Sequence, residues 1–234
     1  MFFWKKKKIK RETAPQKIAS PQDTAAELAD LLRRAQAGEA EAQYLYGKRL
    51  FDGEGCEKDA AEAAAWFRKA AGQGHADAQF KLGVCLDLGE GTEKDPAEAV
   101  RWYKKAAEQG NAKAQCNLGN CYFAGKGTEK NAAEAVRWYT LAAEQGNAKA
   151  QFNLGNAYLK GEGVEKDAAE AVHWYTLAAE QGSVKAQCNL GACYQTGNGV
   201  EKDAAEAAKW FRKAAEQGNA SAQFDLGIFY SVGS

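Results

Sequence analysis

Apolar residues follow a helical spacing in this chain and return at a fixed longer interval. One set of apolar positions is spaced i, i+3, i+4, i+7 and i+8, as in Ala135, Trp138, Tyr139, Ala142 and Ala143. This spacing lines one face of an α-helix. The same set recurs every 36 residues, and a tryptophan marks each copy: Trp66, Trp102, Trp138, Trp174 and Trp210. One helix cannot bury such a stripe alone, so the pattern predicts stacked helical repeats.

Each unit carries the signals of two helices separated by a glycine loop. The second helix, which we call the B helix, begins with a capping box in which Asp or Asn precedes Glu by three residues. These pairs are Asp59 with Glu62, Asp95 with Glu98, Asn131 with Glu134, Asp167 with Glu170, and Asp203 with Glu206. The B helix ends at Gln-Gly, a left-handed stop. In the first helix, the A helix, Ala114 and Gly119 are small enough to let neighbouring helices approach Leu118.

The ends of the chain keep the same period. Residues 1–21 are predicted to be a basic flexible tail, and 22–38 a lone capping helix of the B type over 24–37, in which Asp30 replaces the tryptophan. Residues 39–234 hold five complete repeats and a final half repeat that begins at Ala220. The sequence therefore predicts an all-α solenoid of helix-turn-helix repeats.

The repeated motif resembles a known family. It reads Ala-x-Ala-Gln-x-x-Leu-Gly, then Tyr-x-x-Gly-x-Gly, Lys-Asp, Ala-x-x-Trp-Tyr and Ala-Ala-x-Gln-Gly, and it is fullest over 148–182. This motif is similar to the Sel-one-like repeat family, a relative of the tetratricopeptide repeats. The resemblance implies a right-handed αα superhelix with the A helices on its concave face, and a non-catalytic role as an adaptor. Some cysteine-rich relatives place one disulfide in each repeat, but this chain lacks the required pairs.

The charge distribution and the N-terminal residues limit the functions and locations that the sequence allows. The formal net charge is zero, but six basic residues and one acidic residue lie within 1–12, which leaves 25 basic and 30 acidic residues elsewhere. A mildly acidic repeat region argues against nucleic-acid binding. The apolar residues of Met1-Phe-Phe-Trp4 precede the lysines, the reverse of a secretory signal, so a cytoplasmic location is expected. The tail could contact an anionic membrane weakly or only keep the chain in solution, and its candidate lysines are Lys5, Lys6, Lys7 and Lys8.

One side of the A helices is the candidate binding surface. With Leu118 at the centre of the buried side, a rotation of about 100° per residue turns a polar set away from the core. The predicted protein-binding residues are Lys113, Cys116, Asn117, Asn120, Phe123, Lys149, Phe152, Asn153, Asn156, Leu159, Lys185 and Asn189. Asparagine amides can pair with a peptide backbone, and lysines attract acidic groups or a terminal carboxylate. The competing interpretation is a solvated face copied by tandem duplication.

The sequence predicts no enzyme, no cofactor and no metal. The six cysteines contain no Cys-x-x-Cys pair, and neither His75 nor His173 has a nucleophile placed beside it by sequence. Cys85, Cys121 and Cys193 flank the buried stripe and are predicted to be small core residues. All six cysteines are expected to be free thiols: Cys56, Cys85, Cys116, Cys121, Cys188 and Cys193.

Two other functions remain open at this point. Ile228 and Phe229 make the last half repeat apolar, which favours a homodimer or a self-assembling structure docked through the terminal helix. A thiol-based redox function would require a lowered pKa at Cys116 or Cys188. The main hypothesis is a scaffold that holds a peptide segment of a partner protein in a groove of roughly six to nine extended residues.

Overall fold

The fold is an array of short helices of nearly constant length. The computed structural model describes residues 21–220 together with Gln223 and Leu226. Within these residues the chain forms eleven helices and no strand, and α1 spans Pro21–Gln36. The A helices are α2 (Ala40–Asp52), α4 (Ala76–Leu88), α6 (Ala112–Ala124), α8 (Ala148–Lys160) and α10 (Val184–Thr196). The B helices are α3 (Ala60–Gly72), α5 (Pro96–Glu108), α7 (Ala132–Glu144), α9 (Ala168–Glu180) and α11 (Ala204–Glu216).

Consecutive helices pack against each other along the whole array, which confirms the predicted solenoid. The predicted stripe of α7 is buried, with Trp138 at 6% and Tyr139 at 3% exposure. Leu118 of α6 is fully buried beneath it. A Cβ built on Gly119 would lie 2.6 Å from the Tyr139 ring, so the small residue lets the aromatic ring rest directly on the A-helix backbone. The core is therefore a continuous layer between A and B helices.

The first helix is a polar cap, as expected, but it begins earlier than predicted. It starts at Pro21 rather than at residue 24, because proline fits the first turn of a helix. Its fully buried Ala35 faces α2. At the position of the tryptophan stands Asp30, which is exposed and pairs with Arg33 at 2.7 Å. The outer side of α1 is thus charged where the other B helices are apolar.

The B helices begin as predicted, but only half of the capping box forms. The Asp59 carboxylate accepts the backbone N–H of Glu62 at 2.8 Å. The backbone N–H of Asp59, which Glu62 was expected to cap, donates instead to the carbonyl of Leu50 in the A helix at 3.0 Å. The Glu62 carboxylate accepts the indole N–H of Trp66 at 3.1 Å. The expectation was wrong because it considered the B helix without its neighbour.

A buried glutamine in each A helix joins three helices. The Gln115 amide donates to the carbonyl of Ala107 in α5 at 3.1 Å, and its oxygen accepts from Gln145 at the end of α7 at 2.7 Å. The equivalent glutamines make the same two bonds: Gln43, Gln79, Gln151 and Gln187. All five are at most 5% exposed. Each amide thus gives a second hydrogen bond to a carbonyl that already accepts a backbone N–H at the end of the preceding repeat, and it fixes where the next repeat stacks.

The second glycine of each loop brings two repeats into backbone contact. Gly163 has a φ of +78°, and a Cβ built on it would lie 2.2 Å from the carbonyl oxygen of Ala132 in the preceding repeat. The same approach recurs at Gly91, Gly127 and Gly199. Only glycine tolerates both the left-handed backbone and this separation. The loop is therefore a spacer of fixed thickness between repeats.

Replacing this glycine should cost more than replacing another left-handed glycine. Gly146 has a φ of +84° but nothing within 4 Å of its built Cβ. Gly146→Ala is expected to lower the free energy of unfolding by about 1–2 kcal/mol, from backbone strain alone. Gly163→Ala adds a clash with backbone, so a loss of at least about 3 kcal/mol is expected. Urea denaturation followed by circular dichroism measures both, and equal losses would contradict the spacer role.

Candidate functional site

The A helices of repeats 2 to 4 form a surface with two adjoining depressions. The first, which we call the lysine pocket, has a volume of about 290 Å³ and is lined by Phe80, Lys113, Cys116, Asn117, Asn147, Ala148 and Lys149. The second, the asparagine pocket, has a volume of about 280 Å³ and is lined by Asn120, Phe123, Ala124, Tyr139, Asn153, Asn156, Ala157, Lys160 and Glu162. Eight of the twelve predicted binding residues line one pocket or the other. We call this whole surface, including its continuation on α10, the A-helix face.

Asparagines of the A-helix face form hydrogen bonds with buried tyrosines. The hydroxyl of Tyr139 donates to Oδ1 of Asn120 at 2.8 Å, and Nδ2 of Asn153 in the next repeat donates to the same oxygen at 2.9 Å. The arrangement recurs one repeat later among Tyr175, Asn156 and Asn189, at 2.7 and 3.2 Å. These asparagines therefore link successive repeats, a structural role that the sequence did not reveal.

The same bonds leave part of each amide for another molecule. Asn120 and Asn156 accept through their oxygens, and the two N–H groups on each Nδ2 take no part in the network. Burial raises the pKa of Tyr175 to about 12, so the hydroxyl stays protonated and keeps donating. The network thus fixes the orientation of the asparagines and leaves donors on the surface of the asparagine pocket.

One predicted binding residue is buried and not exposed as expected. Cys116 was placed on the exposed side of α6, but it is 2% exposed and packs against α7 and α8. The calculation from Leu118 failed because an A helix contacts the repeats on both sides, so its buried arc is wider than that of a helix on a flat surface. The half-buried ring of Phe152 lies 6.1 Å from Tyr175, so this residue is partly structural too.

The remaining predicted residues lie apart from the two pockets. Leu159 is half-buried and packs on the core of repeats 4 and 5, whereas Lys185 is exposed on α10. Ile228, Phe229 and the four tail lysines lie outside the described residues, so the structure bears on neither the terminal docking nor the membrane hypothesis.

Burial shapes the chemistry of the cysteines. It raises the pKa of Cys85, Cys116 and Cys121 to about 11, and Cys85, Cys121 and Cys193 are the buried core residues that the sequence predicted. A raised pKa disfavours the thiolate, which is the reactive form. A raised pKa is the opposite of what the redox hypothesis requires at Cys116. The half-buried Cys188 lies with its Sγ 3.8 Å from Oδ1 of Asn219.

Two features are absent from the described part of the chain, a membrane-spanning helix and a cluster of metal-binding side chains. Between residues 21 and 220 the longest helix has 16 residues, and none is suited to crossing a membrane. Over the same residues, His, Cys, Asp and Glu side chains do not gather in groups of three or more that could hold a metal ion.

The sequence interpretation missed the glutamines. A polar residue stands at the same A-helix position in all five repeats: Gln43, Gln79, Gln115, Gln151 and Gln187. An unvarying amide beside buried alanine is the signal of a repeated internal hydrogen bond. It was visible in the repetition itself.

The chain is similar to proteins with known structures. The sequence model of the Sel1 repeat matches residues 40–75, 76–111, 112–147, 148–183, 184–219 and 220–234. A protective antigen of uropathogenic Escherichia coli strains, which displays an SLR fold, is 45% identical over 88% of this chain with a TM-score of 0.84. This chain spans 44% of the length of that antigen. A Sel1 repeat protein from Oxalobacter formigenes is 38% identical over 88% of this chain and 90% of its own, with a TM-score of 0.77. None of the curated proteins compared with the chain matches it.

Coupling between Tyr139 and Asn120 can be measured directly. Phe67 and Phe211 occupy the tyrosine position in repeats 1 and 5, so Tyr139→Phe should fold normally. It is expected to lower the free energy of unfolding by about 0.5–1.5 kcal/mol, the usual net contribution of one hydrogen bond. In a double-mutant cycle with Asn120→Ala, the two effects should be non-additive by about 0.5 kcal/mol or more. Strictly additive losses would contradict a stabilising hydrogen bond between Tyr139 and Asn120.

The buried thiols predict a loss of stability in alkali. The folded state holds the protons of Cys85, Cys116 and Cys121 up to about pH 11, whereas unfolded thiols ionise near pH 8.5. The unfolded state then binds fewer protons, so the free energy of unfolding should fall as pH rises from about 8.5 to 11. Urea midpoints at pH 7.5 and 10 measure this fall.

With iodoacetamide at pH 8, Cys116 should react more slowly than Cys188, and a faster reaction at Cys116 would contradict its burial.

Proposed function

The chain belongs to the Sel1 repeat family, whose members generally mediate protein–protein interactions without catalysis, and on this premise we propose that it is a scaffold that binds a peptide segment of a partner protein on the A-helix face. The observation that carries the proposal is the pair of adjoining pockets. Both lie on the side of the solenoid that the sequence predicted to be its concave binding surface. A partner there would contact several repeats at once.

The chemistry of the two pockets suits a peptide. Their polar side chains include one carboxylate, that of Glu162, and several donors, namely the ammonium groups of Lys113, Lys149 and Lys160 and the spare amide N–H groups of Asn120 and Asn156. Peptide carbonyls and carboxylates are the matching acceptors. The half-buried rings of Phe80 and Phe123 supply apolar contact at the edges. Donors fixed by the tyrosine network need little reordering on binding, which favours affinity.

The size of the surface sets the length of the bound segment. Packed helices are separated by about 8–10 Å, so the A helices of repeats 3 to 5 span about 20–30 Å including their side chains. An extended chain covers this distance with roughly six to nine residues. Such a short segment is within the range that helical repeat surfaces can hold as an extended peptide.

The proposal predicts where a bound partner can be cross-linked. The photoreactive residue p-benzoylphenylalanine would replace Ala124 in the asparagine pocket or Ala148 in the lysine pocket. Matched control positions are Lys104 and Ala133, which are exposed on B helices. After irradiation in the cells of origin, adducts of defined mass are expected from the two A-helix positions, and mass spectrometry of the adducts should identify one short segment of the partner.

The controls decide between surfaces. Adducts from the B-helix positions alone, or equal adducts from all four positions, would contradict binding on the A-helix face. Circular dichroism of each purified variant shows whether its helical content is retained. Because all four replaced side chains take part in none of the hydrogen bonds that join the repeats, the fold should survive each change.

A further inference from the structure

The second residue of each A helix forms a row whose charge changes sign along the array. From repeat 1 to repeat 5 the row reads Glu41, Asp77, Lys113, Lys149 and Lys185, and all five side chains are exposed. In the sequence, Ser221 follows at the same position of the half repeat. The basic part of the row thus has three members, all on the A-helix face, and we call them the lysine row.

The acidic members of the row are used within the fold. The ring Nε2 of His75 lies 2.8 Å from the Glu41 carboxylate, and Nδ2 of Asn111 donates to the Asp77 carboxylate at 2.8 Å. Each contact joins the first turn of one A helix to the start of the next A helix. The residue in this position of repeats 1 and 2 therefore helps to hold adjacent repeats together.

The lysine row has no such role. Nδ2 of Asn147, at the start of α8, turns to the backbone carbonyl of Ala112 at 3.4 Å instead of to a carboxylate. Among the residues that the structure describes, none places a carboxylate against Lys113, Lys149 or Lys185. A cation in the first turn also opposes the helix dipole, whereas an acidic residue there is stabilising. Lysine at these three positions does not serve the stability of the helices.

The spacing of the lysine row matches one backbone conformation of a peptide. Side-chain hydrogen bonds join successive A helices from Asn153 to Asn120 and, at their first turns, from Asn147 to the carbonyl of Ala112, so we expect successive lysines of the row to be about 8–10 Å apart. A polyproline II helix has three residues per turn and rises about 3.1 Å per residue, or about 9.3 Å per turn. Side chains at i, i+3 and i+6 then lie on one side at the spacing of the lysines. A β-strand would turn i and i+3 to opposite sides.

The lining of the lysine pocket suits the residues that stand between two carboxylates of such a peptide. The lysine pocket lies between Lys113 and Lys149, and the ring of Phe80 and the buried Cys116 make part of its lining apolar. Proline or another compact apolar residue can stand between two carboxylates of a polyproline II helix. They would contact this apolar lining while the carboxylates meet the ammonium groups.

We propose that the segment bound by the A-helix face is an acidic peptide in the polyproline II conformation, with carboxylates at i, i+3 and i+6 that pair with Lys113, Lys149 and Lys185. The proposal rests on the proposed function and specifies its ligand. It predicts that the chain distinguishes peptides by the spacing of their carboxylates and not only by the number of carboxylates.

Three capped synthetic peptides test the spacing with the full chain. Each contains three glutamates and six prolines: the first has glutamates at i, i+3 and i+6, the second at i, i+2 and i+4, and the third at three consecutive positions. Fluorescence anisotropy at about 50 mM salt should show at least tenfold tighter binding of the first peptide. Its affinity should fall as salt is raised, because exposed ion pairs are screened.

Variants of the chain assign the effect to the lysine row. Lys149→Asp should weaken the first peptide at least tenfold, and Lys113→Asp should do so while repeating the residue that repeat 2 carries naturally. Lys104→Asp makes the same charge change on a B helix and should leave the affinity unchanged. Circular dichroism confirms that each variant is folded.

The outcomes separate this inference from the proposed function. Equal affinity for the three peptides, or loss of affinity in Lys104→Asp as large as in Lys149→Asp, would overturn the spacing rule. Absence of binding by all three peptides would overturn the acidic ligand. In either case, adducts from Ala124 and Ala148 in the cross-linking experiment would still support a peptide site on the A-helix face.

Discussion

A single buried amide in each repeat governs how the array is built. Gln115 and its equivalents each donate to a carbonyl of the preceding B helix and accept from the glutamine that ends their own repeat. Both bonds lie in the interior, where an unmade bond is costly, so the distance between successive repeats can vary little. The glycine loop sets the same distance from the other side, through the backbone approach of Gly163 to Ala132. The positions of side chains on the A-helix face follow from these two contacts.

Side chains of the A-helix face join adjacent repeats and also carry hydrogen-bond donors that lie outside those contacts. Asn120 holds Tyr139 and Asn153 through one oxygen, while its amide nitrogen stays outside that network. The binding interpretation and the solvated-face interpretation are thus both incomplete, because the same side chain joins repeats and orients donors. The donors of this surface are therefore oriented by hydrogen bonds within the fold itself.

The sequence predicts the period, the helices and the buried stripe well, because these depend on local spacing that 36-residue duplication repeats. It places Leu118 and Tyr139 correctly on the buried side. It fails where a side chain meets another repeat. Cys116 is buried by a neighbouring repeat, and the Asp59 amide is capped by the A helix, and neither contact can be read from a single helix. The candidate site is predicted at the level of a face, while its division into two pockets depends on that packing between repeats.

The charged outer side of α1 has a consequence for how the array can grow. Asp30, which pairs with Arg33, stands where α3 carries Trp66, the residue that contacts Tyr46 of its own A helix, so α1 lacks the aromatic contact that an additional A helix would use. The array would therefore be lengthened by inserting a copied unit of 36 residues between two existing repeats. The inserted unit would make the same glutamine and glycine contacts with the repeats on both sides. Copying the unit 148–183 in this way would add one more lysine to the row and leave both ends as they are. The length of the A-helix face can in this sense change with the number of copied units, and no new interface between repeats is needed.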